Sequence, residues 1–123
     1  MALELSNSVA KVNILGSKIS VFDLDETVQA LKQLTSANGK DYVCVSNVHT
    51  VVMGEKDPEF ARVTNEAVLA TPDGVPLVWA SRFVSGPKIH GRASGPDILA
   101  KILTDTTAQS IRHFLYAKTP SVL

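Results

Sequence analysis

Apolar positions change their period several times along the chain, and each change predicts an element. Val12 to Leu15 and Ile19 to Phe22 are short apolar runs separated by Gly16-Ser17, which predicts a hairpin of two short strands. After Asp23 the period lengthens: Val28, Leu31 and Leu34 recur at helical spacing. Asp23 stands three residues before Glu26, the pattern of a capping box, and Asn38-Gly39 is a helix-stop signal, so a helix is expected from about Leu24 to Ser36. Tyr42 to Val45 is a β-rich run without polar alternation, as a buried parallel strand requires. Ser46-Asn47 ends it, and a short helix is expected over Thr50 to Lys56.

Asp57-Pro58 opens the next helix, because Asp caps well and Pro is pre-set for a first turn. Phe60, Val63 and Ala67 should form its apolar side. Val68 to Ala70 reads as a strand ended by Thr71-Pro72-Asp73-Gly74, and Pro76 begins a helix carrying Leu77, Val78, Trp79 and Phe83. Trp79, at helical spacing, reads as a core residue. Ser85 to Ser94, with Gly86, Pro87 and Gly91, reads as an irregular loop. Gly95-Pro96-Asp97 starts a helix with Ile98, Leu99, Ile102 and Leu103 as its stripe, and Ile111 to Tyr116 reads as a last strand. Strands alternating with helices imply an α/β fold: a Rossmann-like, mainly parallel sheet flanked by helices and preceded by a short β-hairpin.

At 123 residues the chain suits one domain, residues 1–123. Twelve basic and twelve acidic residues cancel, so no net field draws it to nucleic acid or to an anionic membrane, which leaves room only for a local basic patch. The single cysteine, Cys44, excludes an internal disulfide and reads as a small core residue. Met1 to Asn7 lacks the basic-then-apolar order of a signal peptide, and no apolar run approaches the roughly 20 residues of a membrane span. A cytoplasmic protein is expected.

Ligands of parallel sheets bind at the carboxyl ends of strands, and three polar clusters fall there: Asp23 to Thr27, Ser46-Asn47 with His49, and Thr71 to Gly74. A carboxylate held in a tight Pro-Asp-Gly turn could remove a proton from an attacking hydroxyl, or simply bond to its own turn. Asn47 could orient a substrate hydroxyl or cap the following helix. Arg92 could fork onto a diphosphate or stay solvated; His90 beside it is equally ambiguous. Val21-Phe22-Asp23-Leu24-Asp25-Glu26-Thr27 resembles the opening motif of the haloacid-dehalogenase-type phosphatases, with Asp23 and Asp25 then expected around Mg²⁺. Val43-Cys44-Val45-Ser46-Asn47 resembles that family's second motif. The plainer reading of Asp23 is a helix cap.

A longer resemblance runs from about Val12 to Leu123. Asn13-Ile14-Leu15-Gly16-Ser17-Lys18-Ile19, Tyr42-Val43-Cys44-Val45-Ser46-Asn47-Val48, Asp57-Pro58-Glu59-Phe60, Thr71-Pro72-Asp73-Gly74-Val75-Pro76-Leu77-Val78-Trp79-Ala80 and Gly91-Arg92-Ala93-Ser94-Gly95-Pro96-Asp97 follow one another as in the WecG/TagA/CpsF glycosyltransferases. Two positions depart from that pattern: Val45 stands where Thr is frequent, and Ala117-Lys118 where Gly-Gly is usual. The resemblance implies transfer of an N-acetylmannosamine-type sugar from a UDP-sugar donor to a polyprenyl-diphosphate-linked acceptor for teichoic acid, common antigen or capsule. It implies Asp73 as general base and Asn47, Arg92, Ser46 and Thr71 as substrate-binding residues, with no metal or other cofactor. It also implies that residues 1–123 form the N-terminal part of a longer enzyme whose second half meets the inner face of the plasma membrane. Core surface left uncovered near Ile111 to Tyr116 would then favour a homo-oligomer. A non-catalytic remnant acting as a binding module is the third expectation.

Overall fold

The computed structural model describes residues 9–37, 39–106 and 111–122. Strands β1 (Lys11–Ile14) and β2 (Ser17–Ser20) pair antiparallel, Lys11 opposite Ser20 and Ile14 opposite Ser17. The turn is Leu15-Gly16, one residue earlier than the apolar runs suggested. Both residues have positive φ, 52° and 91°, the geometry that matches strand twist in a two-residue hairpin. The turn is tied down by Asn65, whose amide donates to the Gly16 carbonyl at 2.9 Å and accepts from the Lys18 N–H at 2.8 Å.

Helix α1 (Leu24–Ser36) follows, and Asp23 caps it as the sequence implied. The Glu26 N–H donates to Asp23 Oδ1 at 2.9 Å, and the Asp23 N–H donates to Glu26 Oε1 at 3.3 Å. The stop signal at Asn38 lies outside the described residues, but the Gly39 N–H closes onto the Leu34 carbonyl at 3.1 Å. Strand β3 (Val43–Ser46) leads into α2 (Val48–Lys56) and α3 (Pro58–Glu66). α2 begins two residues before the expected Thr50 because Asn47 is its cap. On α3 the inward residue is Thr64, whereas Val63 is exposed. The expected apolar side holds at Phe60, half-buried, and Ala67, buried, and fails at Val63, where the neighbouring Thr64 turns inward instead.

Strand β4 (Leu69–Pro72) pairs parallel with β3, Val43 opposite Leu69 and Ser46 opposite Pro72. β2 packs beside β4 without a ladder. The Ser20 hydroxyl instead accepts the buried Ala70 N–H at 2.9 Å, supplying from a side chain what a neighbouring strand would otherwise supply. Helix α4 (Val75–Ala80) runs into a 3₁₀ turn (Ser81–Phe83), and α5 (Gly95–Thr106) packs on α1, joined by Lys32–Asp105 at 3.2 Å and Lys101–Asp25 at 3.4 Å. The architecture is α/β: hairpin first, then a two-stranded parallel sheet flanked by helices. One core joins the hairpin to α2, β4 and α4 through Val12, Ile19, Val51, Ala70, Leu77 and Ile89. A second joins α1 to the start of β4 through Ala30, Leu34, Val68 and Leu69.

Two further expectations fail. Ile111 to Tyr116 is not a strand; Phe114 and Tyr116 are each 89% exposed, and the segment is anchored by His113 Nε2, 2.9 Å from Thr106 Oγ1. A β-prone run without an adjacent edge has nothing to pair with, so its propensity stays unrealised. Trp79 is not core either. It is 58% exposed, because α4 turns Leu77 inward and presents the opposite side to solvent.

Candidate functional site

Three segments converge at the carboxyl ends of β3 and β4. Past the last ladder pair, the Asp73 N–H donates to the Ser46 carbonyl at 2.7 Å, so the turn leaves β4 locked against the end of β3. The Ala93 N–H donates to the Pro72 carbonyl, also at 2.7 Å, which brings the 84–94 loop onto the same strand end. Asp73 and Arg92 are therefore each the immediate neighbour of a residue in that bond. Gly74 adopts φ 110° and ψ 140°, a region closed to side-chain-bearing residues, and from it α4 departs with Pro76 in its first turn.

Each side chain then has a distinct standing. Thr71 is fully buried and its hydroxyl reaches the Cys44 carbonyl at 3.4 Å; Ser46 is 1% exposed. Both side chains are buried at the strand ends. Asn47 is exposed and caps α2 by a capping box: the Thr50 N–H donates to its Oδ1 at 3.0 Å, and its own N–H donates to Thr50 Oγ1 at 3.0 Å. The cap uses only the amide oxygen. The Nδ2 hydrogens have no partner among the described residues. Asp73 is half-buried, and its carboxylate takes no hydrogen bond or ion pair among the described residues. The local turn bond that Pro-Asp-Gly usually makes is absent there. Arg92 is exposed and forms no ion pair among the described residues. Burial raises the pKa of the nearby Cys44 thiol, which suits a packing role rather than a nucleophile.

The model of the glycosyl transferase WecG/TagA/CpsF family matches residues 12–123. The chain belongs to this family. No individual curated protein matches it. A glycosyltransferase role follows for the WecG/TagA/CpsF domain, with a sugar donor and an acceptor as substrates.

The first polar cluster is spent elsewhere. Asp23 caps α1, and Asp25 reaches across to Lys101 on α5. The two carboxylates do not face one another as a phosphatase pair around Mg²⁺ would. The residue that shares the Asp23 face is Glu26, and both meet His90, whose Nε2 lies 2.9 Å from Glu26 Oε1 and 3.5 Å from Asp23 Oδ2. Asp23, Glu26 and His90 have metal-ligand spacing, but the capping box already employs both carboxylates. Sequence reasoning missed this contact. It ties the loop carrying Arg92 to α1, and the only signal was an acidic helix start and a histidine 64 residues apart.

Proposed function

We propose that this domain transfers an N-acetylmannosamine-type sugar from a UDP-sugar to a polyprenyl-diphosphate-linked acceptor, at the cytoplasmic side of the membrane, in the synthesis of a cell-surface polysaccharide. The observation that carries this reading is the half-buried Asp73 carboxylate, held on a fixed turn at the end of a parallel strand and without a partner among the described residues. As general base it accepts the acceptor hydroxyl proton while that oxygen bonds to the anomeric carbon. The bond from that carbon to the UDP oxygen breaks on the opposite face, UDP takes the electron pair, and configuration inverts. Asn47 Nδ2 donates to a substrate oxygen, and Arg92 forks onto a diphosphate, lowering the cost of its charge. Ser46 and Thr71 keep the two strand ends at fixed spacing behind these groups.

The test is UDP release from UDP-N-acetylmannosamine in the presence of a lipid-diphosphate acceptor analogue. Asp73→Asn is expected to lower turnover by about 10²–10⁴-fold, while Asp23→Asn, which alters a cap, leaves it within a few-fold. Full turnover in Asp73→Asn sinks the assignment. If the unaltered chain neither turns over nor shows amide shifts at Asn47, Asp73 and Arg92 with UDP or acceptor, these residues alone form no working site and the transferase reading fails for this chain.

A further inference from the structure

The same turn that exposes Asp73 starts a surface that the domain does not cover. Along α4 and the 3₁₀ turn, Val75, Trp79 and Phe83 recur every fourth residue and are 40%, 58% and 87% exposed. The chain is acid-free from Gly74 to Pro96, yet that stretch carries Arg82, Lys88 and Arg92 in a protein whose charges balance as a whole. All three are exposed, and none is in an ion pair among the described residues. The base of the stretch is rigid. The buried Ser81 hydroxyl donates to the Val78 carbonyl at 2.7 Å and accepts the Ile89 N–H at 3.0 Å, and Ile89 is itself buried. Phe83 and residues 85–88 therefore project from a fixed footing.

We propose that this face docks on an anionic lipid surface, with Trp79 and Phe83 entering the interfacial layer and Arg82 and Lys88 meeting headgroup phosphates. Aromatic rings beside unneutralised cations match the chemistry of that layer, apolar below and negatively charged above. A second copy of the chain fits less well: a two-fold contact would set the same cations against themselves. Because α4 begins two residues after Asp73, docking holds the strand-end turn close to the surface in which a lipid-linked acceptor is anchored. That last step rests on the function proposed above; the docking itself does not.

Trp79 is the chain's single tryptophan, so its emission reports on this face alone. Titration with vesicles containing phosphatidylglycerol is expected to shift that emission to the blue and to quench it when the lipid chains are brominated. Vesicles of phosphatidylcholine alone, or added salt, should weaken both effects. Phe83→Ser and Lys88→Glu should each reduce partitioning by about tenfold, with the far-UV circular dichroism unchanged. The proposal is overturned if anionic vesicles leave the emission unmoved, or if both variants partition as the parent does. It is also overturned if the blue shift follows protein concentration without lipid, since that marks self-association. Vesicle binding is read without turnover, and UDP release with a soluble acceptor analogue is read without vesicles, so either reading can fail alone.

Discussion

Ser20→Ala tests how the hairpin is held to the sheet that carries the site. β4 has a ladder partner on one side only, and on the other the Ala70 N–H is received by Ser20 Oγ at 2.9 Å. Both residues have zero relative exposure, so no water can replace the hydroxyl. Alanine leaves a buried amide without an acceptor, and an orphaned buried group costs about 1–3 kcal/mol. Taking about 2 kcal/mol, the unfolding constant rises about 30-fold, a large part of the stability of an ordinary domain. With an unfolding entropy of about 2.1 cal/mol/K per residue over 123 residues, the melting temperature falls by about 8 °C. Urea unfolding measures this directly, and an unchanged m value shows that the native fold persists. Ser20→Thr keeps the hydroxyl and separates the lost bond from a packing change. A loss below about 0.5 kcal/mol in Ser20→Ala, the range of an ordinary surface substitution, refutes the assignment of this bond as the link.

Three further outcomes follow from the same geometry. Gly74→Ala forces a side chain into φ 110°, ψ 140°; a destabilisation of about 1–3 kcal/mol is expected, together with reduced UDP release as Asp73 is displaced, and a neutral result in both assays counts against a rigid turn. Asp23→Ala removes the capping box of α1, so thermal melting should show a loss of about 1 kcal/mol with turnover retained. Burial raises the Cys44 pKa, so at neutral pH its thiolate fraction lies below that of a free cysteine. Iodoacetamide should therefore label the folded protein slowly, faster as pH rises and much faster in urea; labelling at the unfolded rate would show that the thiol is not sheltered.

What could be read from the chain was local, and what could not was set by neighbours. Asp23 with Glu26 and Asp57 with Pro58 place helix starts because each cap bonds within three residues of itself, whereas the start at Asn47 was set two residues late. The parallel pairing of β3 with β4 and the convergence of Asn47 and Asp73 followed from strand ends, a rule about sheets rather than about these residues. Val63, Trp79 and Ile111 to Tyr116 were misread for one reason. Apolar spacing shows that a residue could be buried, but whether a partner lies opposite depends on the packing of distant segments. The same holds for Ser20, whose bond to Ala70 spans 50 residues, and for His90, which reaches α1 across 64.

The choice between the acidic cluster at Asp23 and the turn at Asp73 illustrates what the structure adds. Both are carboxylates near strand ends before a helix, and both have motif-like surroundings, so position does not separate them. Availability does. A general base must offer an acceptor oxygen to the substrate proton at the moment of attack. Asp23 Oδ1 is held by the Glu26 N–H and its Oδ2 faces His90, while Asp25 is drawn to Lys101. Substrate would have to displace these partners, undoing a helix cap to do so. Asp73 has no such ties among the described residues, since the backbone on either side of it is fixed by the Ser46 and Pro72 carbonyls and by the Gly74 conformation. Rigid backbone with a free carboxylate is preorganisation without a competing contact, which is why activity is expected to follow Asp73 and stability to follow Asp23.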